Sequence, residues 1–205
     1  MKSLRTFVYG IMAGICVSIG GTAYLSIDNE IVAALFFTTG LFAISNYGFN
    51  LFTGKVCYLI DNGPKYLWDL LLIWFGNLGG ALIATALLGL TRAHPALAAT
   101  AAPLVAAKLG DGLLSIFILS VFCNILIFIA VDGYRILPDA LGRYLALFLG
   151  VAVFALSGFE HCVANMYFIS LTGSWSAEAV LFIIVNTIGN SVGGLLVPAV
   201  KKVFK

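Results

Sequence analysis

Ser157-Gly158-Phe159-Glu160-His161-Cys162-Val163-Ala164-Asn165-Met166 sets a carboxylate, an imidazole and an amide inside an apolar run near residues 144–170. Such groups are costly at membrane depth, and are tolerated where protein surrounds them or where they line a cavity. A second apolar run, near 31–60, is interrupted in the same way by Ser45-Asn46-Tyr47-Gly48-Phe49-Asn50 and then by Thr53-Gly54-Lys55. A broken helix frees backbone groups that lipid cannot satisfy, so both breaks belong inside protein. Two interrupted helices meeting near the midplane bring their half-helix ends to one place, and helix N-termini there favour an anion.

The rest of the chain agrees with a membrane setting. Of its 205 residues 61% are hydrophobic and only 10% charged, against about 25% charged in soluble domains. Mean hydropathy is +1.07. At about 20 apolar residues per span, the length allows six spans, near 6–26, 31–60, 66–91, 105–131, 144–170 and 178–200. That leaves one transmembrane domain, 1–205, and no room for a soluble one. The Ala/Pro-rich stretch His94 to Pro103 reads as a connector. The first apolar stretch, Phe7 to Ile27, lacks a clear cleavage site and reads as a retained span. A net charge of +2 gives no reason to expect nucleic-acid binding. Cys16, Cys57, Cys123 and Cys162 all lie in apolar runs without CxxC spacing, so they read as small buried hydrophobes rather than metal or disulfide groups. Lys2, Arg5, Lys65, Arg135, Arg143, Lys201, Lys202 and Lys205 fall on one side of the membrane, Arg92 and Lys108 on the other. The positive-inside rule then predicts both termini in the cytoplasm.

The interruptions recur in order. Gly48-Phe49-Asn50 precedes Gly76-Asn77-Leu78-Gly79-Gly80 by 28 residues, and Gly158-Phe159-Glu160 precedes Gly189-Asn190-Ser191-Val192-Gly193-Gly194 by 31. We read a duplication, one repeat at about 1–91 and the other at about 105–205. Three spans per repeat is an odd number, so the second copy enters from the opposite face, the inverted architecture of many channels and transporters.

The string Gly158-Phe159-Glu160-His161 with Ala164-Asn165-Met166 resembles the fifth, broken helix of the formate–nitrite transporter family of bacterial anion channels. Leu51-Phe52-Thr53-Gly54 resembles that family's loop in the second helix, and Thr187-Ile188-Gly189-Asn190 through Gly194 resembles its sixth. Lys108, 16 residues before Asn124, resembles its fourth. The resemblance covers nearly the whole chain, which is shorter than most members at the termini and between spans three and four. It implies an all-α, aquaporin-like fold of six helices with helices 2 and 5 interrupted, assembled as a homopentamer in the bacterial inner membrane. It also implies transport of formate, nitrite, hydrosulfide, acetate or lactate, commonly with a proton, and neither enzymatic activity nor a cofactor. By the same resemblance His161 is the central pore histidine, Phe154 a constriction, Asn190 an amide facing the histidine region and Glu160 a buried support behind it. Lys108 falls in the outer vestibule and Arg5 at the cytoplasmic mouth. Two positions depart from the family. Lys55 stands where many members carry threonine or serine, and Ala43, beside Phe42 and Ile44, stands where many have a constriction leucine.

The residues suggest a mechanism. Lys108 and Arg5 concentrate the anion, desolvation between apolar rings favours its neutral acid, and a proton from water or His161 lets that acid pass. Lys55 is either a pore cation or a lysine that pairs with Glu160 or snorkels to the interface. Asn165 and Asn190, with Asn50 and Asn77, suit capping of broken helix ends, Asn190 being the one also suited to substrate. Two other classes stay open. A membrane redox protein would use His161 with Cys162, but the only other histidine, His94, lies in a connector. A water or glycerol channel would show Asn-Pro-Ala boxes, which are missing from this sequence.

Overall fold

The computed structural model describes residues 1–204; Lys205, counted above with the basic C-terminal residues, lies outside the described residues. Among the described residues eleven helices follow in order: α1 Lys2–Leu25, α2 Glu30–Phe37, α3 Thr39–Tyr47, α4 Phe52–Val56, α5 Leu59–Asn62, α6 Tyr66–Gly89, α7 His94–Leu109, α8 Leu113–Ile136, α9 Ala140–Leu156, α10 Cys162–Thr172 and α11 Ala177–Val203. Five stretches are long and apolar enough to cross a membrane: α1, Glu30–Tyr47 (α2 with α3), α6, α8 and α11. The expected fifth span is divided between α9 and α10, of 17 and 11 residues. Each is short of the ~20 residues a crossing needs.

Both breaks lie where the sequence places them, and for one local reason. Gly48 and Gly158 take the left-handed conformation, with φ of 69° and 67°. Without a Cβ they adopt it freely and close α3 and α9. The next residue then bonds back: Phe49 N–H to Ile44 O and Phe159 N–H to Phe154 O, each at 3.0 Å.

The stretch after α6 differs from expectation. Residues 94–109 are a helix rather than a connector, and the fourth span starts at Leu113 rather than near 105. Pro95 sits in the first turn of α7, where its missing N–H is not needed, and the alanines favour helix. Leu97, Ala101 and Val105 recur every four residues and are buried, and α7 packs against α10. Lys108 therefore belongs to α7, not to the fourth span.

Two closely packed pairs form the body, α1 with α6 and α8 with α11. Small residues allow the backbones to touch. A Cβ on Gly80 would fall on Ile11 O and lie 2.9 Å from Gly14 Cα; one on Gly193 would fall on Val121 O. Ile11 and Val121 are equivalent positions of the two halves, 110 residues apart. The outer faces carry exposed Leu, Ile, Val and Phe side chains, such as Leu71, Phe75, Leu145 and Leu149. Those faces suit lipid or a neighbouring subunit.

Gly80→Val should therefore separate α1 from α6 and destabilise the protein by about 1–3 kcal/mol or more. Gly79→Ala, whose new Cβ would meet nothing nearer than 3.8 Å, should leave the melting temperature in detergent unchanged. Equal melting of the two variants would refute the close-contact account.

Candidate pore

The half-helices α4 and α10 begin at the two breaks, and each start is held by one asparagine. Asn77 Oδ1 accepts the N–H of Phe52 at 2.8 Å, while its Nδ2 donates to Gly10 O and Asn50 O at 2.8 and 2.9 Å. Asn190 Oδ1 accepts the N–H of Cys162 at 2.9 Å, while its Nδ2 donates to Ser120 O and Glu160 O, both at 2.8 Å. The partners correspond one to one: Gly10 with Ser120, Asn50 with Glu160 and Phe52 with Cys162, each 110 residues apart. The two halves thus repeat each other bond for bond. Both asparagines are fully buried.

The first turns of α4 and α10 meet at His161. This residue caps α10 with its own ring, since Nδ1 accepts the N–H of Ala164 at 3.1 Å. An amide N–H only donates, so Nδ1 carries a lone pair; in the neutral ring the proton is on Nε2. Nε2 lies 2.9 Å from Thr53 Oγ1 in the first turn of α4, which then accepts it. The imidazole stacks on Phe154, with ring centres 5.5 Å apart and planes 12° apart. Phe154 in turn meets Phe37 edge-on at 5.7 Å.

Three cavities share walls around this point. One of about 60 Å³ is lined by Lys108, Phe37, Phe154 and His161, among others. The next, of about 20 Å³, again touches Phe37, Phe154 and His161, and adds Leu41 and Leu51. The third, of about 520 Å³, begins at Leu41 and Leu51 and opens past Lys55 to Arg135 and Arg143. Shared walls mark narrow places. Phe37 with Phe154 forms one, Leu41 with Leu51 the other, and His161 reaches the two smaller cavities.

Several residues fall elsewhere than the sequence suggests. Ala43 and Phe42 line none of these cavities. Phe42 is 40% exposed and packs its ring against Tyr144 and Phe148; Leu41, two residues before Ala43, occupies the narrow place. Lys55 touches the wide cavity rather than His161, and the threonine beside the histidine is Thr53. Lys55 does not pair with Glu160 either. Glu160 Oε2 accepts from Lys108 Nζ at 2.6 Å and from Asn165 Nδ2 at 2.7 Å. Lys108 does line the cavity of about 60 Å³, the outer one in the sequence reading, but its charge is matched by that carboxylate. Asn190 lines none of these cavities, and backbone groups of the break and of α8 take up its polar atoms. Arg5 is exposed and stands over the Tyr9 ring, 4.9 Å from its centre, one layer behind Phe49 of the wide cavity. Asn124 donates to Thr53 O at 3.0 Å and so braces the first turn of α4.

Phe37, Leu41, Leu51, Asn186, Arg135 and Arg143 carry no site role in the sequence reading. Leu51 is within its reach, because aligning Gly48-Phe49-Asn50 with Gly158-Phe159-Glu160 sets it opposite His161. Asn186 joins Asn165 to Ser120, with bonds of 2.8 and 2.7 Å. No sequence signal marks it. His94 opens α7 and lines none of the three cavities.

Broken spans, half-helices whose first turns meet and cavities that share walls define a polytopic membrane protein of the pore-forming class. The model of the Formate/nitrite transporter family matches residues 1–204, and the chain belongs to that family. It is 27% identical over 187 residues to the formate channel FocB of Escherichia coli (strain K12), covering 82% of this chain and 66% of the relative. Formate channel FocA of the same strain is 26% identical over 188 residues, with 82% and 66% covered. The chain thus spans about two thirds of the length of these curated relatives. Among solved structures, a pentameric formate channel with formate bound superposes with a TM-score of 0.79 at 25% identity, over 94% of this chain and 93% of that one. An FNT family ion channel shares the fold with a TM-score of 0.78 at 18% identity, over 98% of this chain and 88% of that one.

The Lys108–Glu160 pair is mostly buried, with side-chain exposures of 14% and 6%. Lys108→Met should strand a buried carboxylate and destabilise the protein by about 3–5 kcal/mol. Adding Glu160→Gln should restore most of the loss. Single and double variants that melt alike would show that the two charges are not coupled.

Proposed function

We propose that the chain is a channel for formate and other small monovalent anions of weak acids, nitrite, hydrosulfide, acetate and lactate among them. The observation that carries this reading is the arrangement at His161: one polar side chain between two narrow apolar places, Phe37 with Phe154 and Leu41 with Leu51. Moving a carboxylate out of water carries an effective penalty of several kcal/mol even after relaxation. Each ~1.4 kcal/mol of barrier is a factor of ten in rate, so a bare anion would cross slowly. The neutral acid escapes most of that penalty. Substrate therefore reaches the narrow section as an anion, takes up a proton there and crosses uncharged, which makes net flux a co-transport with protons.

His161 suits this chemistry without needing to be charged. Its Nε2–H, which donates to Thr53 Oγ1, donates to a carboxylate oxygen once substrate takes the place of that hydroxyl, and water from either vestibule supplies the proton. The apolar rings keep bulk water from short-circuiting the step. The relatives' formate-channel names and the bound formate in the solved structure at 25% identity support the substrate class. That neighbour's pentameric state supports a homopentamer with one passage per subunit. Half-helices whose first turns meet support opposite insertion of the two repeats. The excess of cations at one side supports both termini in the cytoplasm of a bacterial cell.

Purified protein in proteoliposomes should take up formate faster in mildly acidic than in mildly alkaline medium, because protons are co-substrates. Glycerol should not swell the same vesicles. His161→Phe should alter both formate flux and its pH dependence. Unchanged flux and pH dependence in that variant would remove the histidine from the mechanism, and glycerol permeation would favour a neutral-solute channel.

A further inference from the structure

The wide vestibule is out of proportion to its proposed substrate. At about 520 Å³ it falls among pockets of roughly 300–1,000 Å³ that hold whole drug-sized molecules, whereas formate has a single carbon. Its charge is equally lopsided. Among the described residues Lys55, Arg135 and Arg143 line it, and no carboxylate does. Lys55 forms no ion pair among the described residues. Arg143 gives its Nε to Leu137 O at 2.6 Å, which fixes the guanidinium while its terminal nitrogens make no hydrogen bond among the described residues. Arg135 is held between the Tyr58 ring, 4.7 Å from its centre, and Asp132 at 3.6 Å, a carboxylate shared with Lys201 at 3.3 Å. The outer cavity has no such surplus among the described residues, since its cation, Lys108, is matched by Glu160. Beyond Leu41 and Leu51 the space falls to about 20 Å³.

We propose that this vestibule binds a di- or trivalent organic anion of metabolite size, which closes the passage from that side. The proposal rests on the channel reading above. Lys55 and Arg143 have no carboxylate partner among the described residues and Arg135 shares its one with Lys201, so the cavity keeps more positive charge than a single formate compensates. A ligand with two or three carboxylate or phosphate groups compensates the whole surplus, and the terminal nitrogens of Arg143 match such a group in shape. Such a ligand is too large for the narrow section and carries more charge than the single proton that neutralises formate can remove. It therefore occupies the vestibule without crossing.

The test uses the full chain in lipid nanodiscs and in proteoliposomes. Titration calorimetry with citrate and with pyrophosphate should show saturable binding. Lys55→Gln and Arg143→Gln should each weaken it roughly tenfold, the scale of one lost charge-assisted contact. Citrate or pyrophosphate added to one face should inhibit formate flux, and on the other face should not. Tighter citrate binding would identify a polycarboxylate site, tighter pyrophosphate binding a phosphate site. Wild-type protein that conducts formate yet binds neither probe overturns the proposal. So does binding unaffected by both substitutions, or inhibition that is equal from both faces. Probe binding by protein that fails to conduct formate would instead leave the site standing and refute the channel reading.

Discussion

A polypeptide that breaks a helix inside a membrane must find partners for the backbone groups it frees, and here two side-chain amides supply them. An unsatisfied buried amide is destabilising by about 1–3 kcal/mol, and each break frees several. Asn77 and Asn190 each satisfy one N–H and two carbonyls. No other neutral side chain of that size offers an acceptor and two donors on one planar group. The glycines beside them serve the same end. Asn77 reaches Gly10 O because α1 and α6 approach closely, and the approach requires the missing Cβ atoms at Gly14 and Gly80. The passage exists because two asparagines and a few glycines make broken helices tolerable.

Once the half-helices are fixed, the position of His161 follows. An N-cap residue lies outside the helical turn and projects toward whatever faces the helix end. His161 uses one ring nitrogen to hold that cap and presents the other to Thr53 across the joint. The same ring therefore anchors α10, ties it to α4 and lines the narrow section. Phe154 adds a parallel ring at 5.5 Å, which limits the imidazole's rotation. Charge is kept out of this region by distribution. Glu160 follows Phe159 directly into the break, yet Lys108, Asn165 and the α7 helix that carries Lys108 hold its carboxylate beside the outer cavity.

How much of this is legible in the residues alone varies with the kind of interaction. Both helix breaks are legible, because glycine followed by aromatic and polar residues within an apolar run fits poorly in an unbroken helix that faces lipid. The correspondence of the two breaks is legible because the Gly-Phe and Gly-Asn elements recur in the same order. The capping asparagines are half legible: their type and spacing suggest a cap, but only geometry shows how fully Asn190 is committed to it. Narrow places made of leucine are not legible, since Leu41, Leu51 and Phe37 look like any other residue of an apolar span. Ala43 and Phe42 stand near the right place in the chain but on the wrong face of α3. One residue of helix rotates a side chain by roughly 100°, so a register error of one or two residues turns the assignment away from the passage, Ala43 against the packed core and Phe42 onto Tyr144 and Phe148. Helix α7 is hidden by its prolines, which resemble breakers, although Pro95 lies in a first turn, where it is tolerated.

The same logic separates what the two vestibules can do. A cation matched by a buried carboxylate, as Lys108 is by Glu160, offers a weak net field and a fixed position. It can orient a small anion without holding it. Cations without a carboxylate of their own around open space, Lys55 and Arg143 beside an Arg135 that shares Asp132 with Lys201, raise the local concentration of anions and favour those with several charges. A passage that releases its substrate quickly needs the first arrangement near its narrow section, because strong binding there would slow transit. The second arrangement is harmless to flux only where the space is wide enough for substrate to enter and leave freely. That condition is met on one side of Leu41 and Leu51 and not on the other, so the asymmetry of charge follows the asymmetry of volume.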